Sequence, residues 1–333
     1  VLLPSHSYEY GCRGLKLDSL GLKLHLVTGA AGQIGSELTP YLDSHSDFEF
    51  VLGTDLKESF PALDRYEQLD VTDRTNVNSV LERHEIDIIF HLAALLSATG
   101  EHRPQSAYNV NLNGLYTVLE AARQTDVERV VVPSSIAFFG QHTPPIPSER
   151  AIYSPTTMYG VSKAFFELLG EYYNNRYDMD VRGLRLPGVI SHKTKPEGGT
   201  TDYAVEVFYE AIESGSYTYF VREDTRLPFV YMPDVIDALI AIAQADSDSL
   251  NHPCSYNIEG CSFTARELTA AIRDHIPHFD ADYDPDSRQK IADTWPETVD
   301  DSAAHHDWSW NPKYGLEELC SDMIMELERQ QIA

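Results

Sequence analysis

The chain has 333 residues, enough for one large domain or two smaller ones. Hydrophobic residues make up 42% and aromatic residues 11%, which allows a full core and argues against global disorder. Lys and Arg total 25 against 52 Asp and Glu, a formal net charge of -27 that repels phosphate backbones and anionic membranes, so neither nucleic acid nor a membrane is an expected partner. The acidic excess is spread along the chain, as a solubilising surface or an adaptation to high salt requires. Four cysteines (Cys12, Cys254, Cys261, Cys320) form no C-x-x-C pair and have no His cluster at zinc spacing, so no metal site is expected and reduced thiols fit a cytoplasmic setting, or a mitochondrial matrix in a eukaryotic host. No stretch reaches the roughly 18 apolar residues of a membrane helix. Residues 1–22, with Glu9 and Asp18, suit neither a secretory signal nor a transit peptide and read as an N-terminal extension.

In chain order, Leu24–Thr28 is a short apolar strand that runs into Gly29, Gly32 and Gly35 at G-x-x-G-x-x-G spacing. Such glycines permit a tight turn and a close backbone approach to a pyrophosphate, with Gln33 and Ile34 opening a helix over Gln33–Leu42. The spacing is also that of an ordinary strand–helix turn. Phe48–Asp55 reads as a second strand, and Asp55 lies 20 residues beyond Gly35, where a dinucleotide fold places a carboxylate on the adenosine ribose. A carboxylate there repels a 2′-phosphate, which favours NAD over NADP. Tyr66–Asp70 is a short strand followed by Val71, and Thr75–His84 a helix. Ile86–Ala94 is apolar almost throughout, as in a parallel strand buried on both faces, with Leu92, Ala93 and Ala94 at its end. Tyr108–Gln124 is a long amphipathic helix. Val127–Ser135 contains the next strand, and a proline-rich loop spans 141–155. A helix over Thr157–Tyr173 and a strand over Val181–Pro187 follow. The alternation predicts an α/β chain: a Rossmann-like, doubly wound parallel sheet over residues 23–190 that binds the dinucleotide. Beyond 190 the alternation weakens. A loop over His192–Thr201, helices over Asp202–Ser214, Pro233–Ala245, Thr264–His275 and Leu316–Gln331, and short strands at 217–222, 229–232 and 255–258 predict a smaller α/β substrate lobe over 191–333.

Tyr159 and Lys163 are four apart, hence on one helix face. A free phenol titrates near ~10, too high for a base at neutral pH, and a lysine ammonium beside it favours the phenolate. Y-x-x-x-K alone is common on exposed helices. Here a glycine turn, an acid about 20 residues on and a serine-ended strand precede it in order. Ser135 offers a hydroxyl to orient a substrate oxygen. Ser134 is the alternative, since adjacent strand residues point oppositely, and both could instead cap backbone groups.

The glycine turn, Asp55, Asp70-Val71, Asn111-Leu112-Asn113-Gly114, Ser135 and Tyr159/Lys163 resemble the extended short-chain dehydrogenase/reductase superfamily, which includes UDP-galactose 4-epimerase. Later blocks resemble its short-chain-type L-threonine 3-dehydrogenases: Arg185–Ser191, Gly198–Val205, Arg222–Pro228, Tyr256-Asn257-Ile258, Arg288–Pro296 and Asp300–Trp310. His192-Lys193 departs from that pattern. The resemblance implies oxidation of L-threonine by NAD to L-2-amino-3-oxobutyrate. It implies Tyr159 as base, Lys163 lowering its pKa and binding ribose, and Ser135 orienting the hydroxyl. Gly29, Gly32, Gln33, Ile34, Gly35, Asp55, Asp70, Val71, Leu92, Ala93, Ala94, Asn111 and Leu186 would line the cofactor. Ser97, Thr200 and Thr201 would touch substrate and Asp202 support the loop, although Thr200–Asp202 also has the make-up of a helix N-cap. It further implies a homodimer through the helices containing Leu112, Leu115, Phe165, Phe166 and Leu169. A nucleotide-sugar epimerase or dehydratase, and a non-catalytic NAD-binding protein, are the rival readings.

Overall fold

The computed structural model describes residues 23–45, 48, 50–195 and 198–332. The extension expected over residues 1–22, Cys12 included, lies outside them.

Five strands and their crossovers build the first layer: β1 (Leu24–Thr28), α1 (Gly35–Ser44), β2 (Phe50–Asp55), β3 (Tyr66–Gln68), α2 (Arg74–His84), β4 (Ile88–His91), α3 (Ser97–His102), α4 (Pro104–Ala107), a π-helical turn (Tyr108–Gly114), α5 (Leu115–Gln124) and β5 (Arg129–Val131). Next come β6 (Ser134–Ser135), α6 (Met158–Tyr177), β7 (Asp180–Arg182), β8 (Leu184–Leu186) and β9 (Gly188–Ile190). The main sheet has the order β3-β2-β1-β4-β5-β7 and is parallel throughout. Strand order reverses between β1 and β4, so the crevice at their carboxyl ends is the expected ligand position of an open α/β sheet. Side chains of β1 and β4 are buried on both faces, which is why these strands read as continuous apolar runs.

The predicted helix over 108–124 begins as a π-turn that contains Asn111. The predicted single strand over 181–187 is two strands. β7 pairs with β5, and after Gly183 β8 pairs with β6 and with β12 (Tyr256–Asn257). A Cβ on Gly183 would lie 2.6 Å from the Phe166 ring and 2.8 Å from the Val132 carbonyl, so the chain can pass there only as glycine. Helix α6 starts on a Thr157 side chain that accepts the Gly160 amide and ends on Asp178 in the left-handed region.

The remaining chain forms α7 (Tyr203–Glu213), β10 (Ser216–Tyr219), β11 (Arg226–Tyr231), α8 (Met232–Gln244), β13 (Cys261–Thr264), α9 (Ala265–His275), β14 (Asp280–Tyr283), α10 (Gln289–Ala292), α11 (Ser302–Trp308) and α12 (Leu316–Ile332). Two cores result. In the first, Val27, Ile88 and Val131 of the main sheet pack with Ile236, Leu239 and Ile240 of α8 and with Trp308 and Trp310. So α8 and the 303–310 stretch return to the dinucleotide-binding sheet although they follow residue 190. The second core joins α7, β11, α9 and α12. β9 pairs with β11 in parallel and ties the two together. Among the described residues, no helix is long and apolar enough to cross a membrane, and no group of three or more His, Cys, Asp or Glu is placed to hold a metal ion.

Candidate active site

A cleft lies over the carboxyl ends of β1 and β4. At one end lies the glycine turn. Gly29 has φ +71, and a Cβ there would sit 2.7 Å from the Ala93 amide nitrogen. A Cβ on Gly35 would sit 2.2 Å from the Gly29 carbonyl oxygen. The turn is therefore closed on itself by backbone alone. Beside it the amides of Gln33 and Ile34 find no acceptor among the described residues, and both residues line the cleft. Free amides at a helix start, in a helix dipole, suit a pyrophosphate. Asp55 ends β2 next to this turn, and its carboxylate accepts from the Ala31 amide at 3.2 Å and the Lys57 amide at 3.3 Å. These residues fit a bound dinucleotide.

Leu92, Ala94 and Leu186 line the same cleft, as do Gly29, Gly32, Gln33, Ile34 and Gly35. Asp55, Asp70, Val71, Ala93 and Asn111 do not. Asp70 closes a local turn, accepting from the Thr72 amide at 2.8 Å and the Thr72 hydroxyl at 2.7 Å. Val71 is buried against Gly114. Asn111 holds the segment after β4: its Oδ1 accepts from the Leu95 amide at 2.8 Å and its Nδ2 donates to the Leu95 carbonyl at 2.9 Å. The π-turn aims that amide side chain at Leu95.

The other end of the cleft is made by side chains. Tyr159, Lys163 and Glu167 follow at i, i+4, i+8 on α6 and meet three consecutive residues of the strand beside it. Tyr159 and Ser135 line the cleft together, with the serine near enough to pull the phenol's pKa down, while Ser135 Oγ accepts the Ala137 amide at 3.2 Å. Lys163 Nζ donates to the Pro133 carbonyl at 2.6 Å. Ser134 Oγ donates to Glu167 Oε1 at 2.5 Å, so this serine is taken up by the buried Glu167–Arg185 ion pair. Ser135 is the serine that faces the phenol.

The electrostatics differ from the sequence expectation in one respect. Burial pushes the Tyr159 phenol up to about 12, against a smaller downward pull from Ser135. Burial also brings Lys163 down to about 8, with Glu167 acting the other way. The lysine sits 5.2 Å from the phenol ring centroid, yet desolvation decides the direction for both buried groups.

The stretch 198–202 closes this end. The Asp202 carboxylate accepts from the Gly198 amide at 2.8 Å and the Gly199 amide at 2.5 Å, instead of capping α7. Thr200 lines the cleft, is 1% exposed, and its hydroxyl has no partner among the described residues. Such a buried orphan hydroxyl calls for a ligand group. Thr201 and Ser97 line the same space. So do Pro187 and Lys195, and also His91, Leu96, Gly188, Val189, Thr194 and Trp295, to which sequence reasoning gave no role. Of these, His91 ends the buried strand just before Leu92, a position that could have been read. The His91 ring accepts or donates to Thr28 Oγ1 at 2.8 Å, and burial lowers it to about 3. Trp295 lies in the Arg288–Pro296 block, where no local pattern points to a cleft.

The NAD dependent epimerase/dehydratase family matches residues 25–258. An uncharacterized epimerase/dehydratase of Staphylococcus haemolyticus is 41% identical over 314 residues, covering 92% of this chain and 98% of its own. Among solved structures, an L-threonine dehydrogenase from Phytophthora infestans superposes with TM-score 0.90 at 44% identity, covering 92% of this chain and 99% of its own. The holo form of an L-threonine dehydrogenase from Cupriavidus necator does so with TM-score 0.88 at 46% identity, covering 91% and 99%. With the glycine turn, Asp55 and the Tyr159/Lys163 pair in place, the chain belongs to the NAD dependent epimerase/dehydratase family and is an NAD-dependent oxidoreductase.

Proposed function

We propose that this enzyme oxidises the β-hydroxyl of L-threonine to give L-2-amino-3-oxobutyrate and NADH. The observation that carries this reading is the substrate end of the cleft. There the Tyr159–Ser135 pair stands in one cleft with a small-residue loop whose buried Thr200 hydroxyl lacks a partner. The L-threonine dehydrogenases among the structural neighbours support it.

Bound NAD supplies the hydride acceptor and a cationic ring. Ser135 would hold the substrate hydroxyl, and Tyr159 would take its proton as the carbon–hydrogen bond breaks. Lys163, anchored on Pro133, keeps its amine 5.2 Å from the phenol ring centroid, where its charge and that of the cationic ring of bound NAD would together favour the phenolate. The Thr200 hydroxyl would offer a donor to the substrate carboxylate, and Asp202 would support the loop by accepting the Gly198 and Gly199 amides. In this reading 191–333 supplies the substrate-facing elements and 23–190 the dinucleotide site.

A nucleotide-sugar substrate would bring a second diphosphate and call for cations around it. Among the described residues the cleft is lined by two, Lys163 and Lys195. Arg226 makes a bidentate pair with Glu267 instead, at 2.7 and 2.8 Å. Lys193 is paired with Glu37.

We also read the α5/α6 surface as a dimer face. Leu115 and Phe166, expected there from sequence, are buried inside the chain. The exposed residues are Tyr108, Tyr116, Val161, Leu168 and Tyr172, on the π-turn, α5 and α6. Two such adjoining helices present one apolar face to a second copy.

An assay panel tests the activity. NADH formation with L-threonine and NAD, with none from UDP-galactose, supports the reading. Turnover of UDP-galactose without net NADH overturns it in favour of an epimerase.

A further inference from the structure

Residues 191–193, at the exit of β9, are held from two sides. The chain leaves β9 at Ile190 and runs into the loop that ends at Asp202. At its exit the side chains alternate between two anchors. Ser191 Oγ donates to Glu37 Oε1 at 2.5 Å, and Lys193 Nζ lies 3.2 Å from Glu37 Oε2. Ser191 Oγ also accepts the Lys193 amide at 3.1 Å. Ser36 Oγ reaches Thr194 Oγ1 at 3.5 Å, and Gln33 Nε2 of the side chain reaches the Val189 carbonyl at 3.5 Å. All three α1-side residues, Gln33, Ser36 and Glu37, belong to the turn that opens the dinucleotide helix.

Residue 192 faces the other way. His192 Nδ1 shares a hydrogen with the Tyr231 hydroxyl at 2.9 Å, and Tyr231 donates onward to Asp322 of α12 at 2.7 Å. The His192 carbonyl accepts from Tyr209 at 2.9 Å and from Gln330 at 3.3 Å. The C-terminal lobe therefore fixes residue 192, and the dinucleotide helix fixes residues 191 and 193.

Glu37 decides the second anchor. Its side chain is 2% exposed. A buried carboxylate without partners is costly, so Glu37 holds Ser191 and Lys193 on α1. Thr194 and Lys195, the next residues, line the cleft beside Gln33, Ile34 and Gly35. A ligand that orders the start of α1 must thereby order the exit of the loop.

We infer that Glu37 is a positioning residue: through Ser191 and Lys193 it makes occupancy of the dinucleotide site set the substrate loop. Its bearing on substrate rests on the threonine reading above, whereas its bearing on the loop does not.

The test is hydrogen exchange over residues 189–195 in the full chain, with and without NAD and without any substrate. In the unsubstituted protein NAD should slow exchange there. In Glu37→Gln the NAD-induced slowing should be lost while NAD affinity stays within about threefold. Ser191→Ala, which removes one bond without stranding a charge, should lose part of the slowing, and Glu37→Asp should restore part of it. Equal NAD-induced slowing in Glu37→Gln and the unsubstituted protein overturns the inference, as does its absence from the latter. If Glu37→Gln does not fold, Ser191→Ala and Lys193→Met decide in its place, with unchanged slowing in both overturning it. A steady-state arm adds the substrate: KM for L-threonine should rise about tenfold in Glu37→Gln with kcat nearly unchanged. Absence of threonine turnover in the unsubstituted enzyme would sink the threonine reading and leave the exchange result standing.

Discussion

The two ends of the cleft are built by different means. The dinucleotide end is backbone: a left-handed Gly29, a Gly35 packed on the Gly29 carbonyl, and two free amides. The substrate end is side chains, with Ser97, Ser135, Tyr159, Lys163, Thr200 and Trp295 drawn from five separate stretches. Backbone sites are set by local sterics and tolerate few substitutions. Side-chain sites depend on the fold holding distant pieces in register, and each piece can change alone. That is how one family can keep NAD and vary its substrate.

The comparison can be broken most sharply at Tyr159. Tyr159→Phe should lower kcat by about 10³-fold, within the range for a lost acid–base group, and leave NAD affinity within about threefold. NADH absorbance and a fluorescence titration read the two, and undiminished turnover would remove Tyr159 as base.

A pH experiment follows in size. His91 lies under the dinucleotide end and burial holds it neutral, at about 3. Its folded value is below the unfolded one, near ~6.5, so its contribution is complete above pH 6.5 and is lost as pH falls toward 3. At pH 4 the loss should be of order 3 kcal/mol. His91→Gln should flatten the acid limb of a urea-melt series between pH 6.5 and 4; an unchanged slope would show that other groups carry it.

Gly35→Ala should weaken NAD binding about 100-fold, because the added methyl meets the Gly29 carbonyl at 2.2 Å and the turn must open. Calorimetric titration checks it. Thr200→Val keeps shape and removes one hydroxyl, so KM for L-threonine should rise only about tenfold, with NAD affinity unaltered. An equal loss in NAD affinity would show that the two ends are not separable. Least affected should be Arg226→Leu, whose partner Glu267 is half-exposed: stability should fall by less than about 1 kcal/mol and KM stay within twofold.

The dinucleotide end was legible because its signal is short-range. Gly29, Gly32 and Gly35 lie within one turn, and Asp55 follows at the length of one helix and one strand. Tyr159 and Lys163 were legible for the same reason, being one helical turn apart. The assignment of Ser135 over Ser134 needed Glu167, 33 residues from Ser134, to claim the other hydroxyl. Strand boundaries slipped where the chain changes partners: Gly183 divides one apolar run because Phe166, far away in sequence, occupies its Cβ position. Asp70 and Val71 stay local to their turn, beyond the lining of the cleft, since Asp70 spends its oxygen on Thr72.

By itself the amino-acid order determined the alternation of strands and helices, the parallel sheet and the anion-binding turn, because each follows from sterics and periodicity over fewer than about 20 residues. Tertiary structure alone decided the rest. It raised the Tyr159 phenol where a neighbouring lysine suggested the reverse, because desolvation decides the direction for both buried groups. It brought Trp295 and Thr200 to one cavity, and it tied Lys193 to Glu37 across 156 positions, contacts that depend on how β9, α1 and α12 pack and on nothing written in the neighbouring residues.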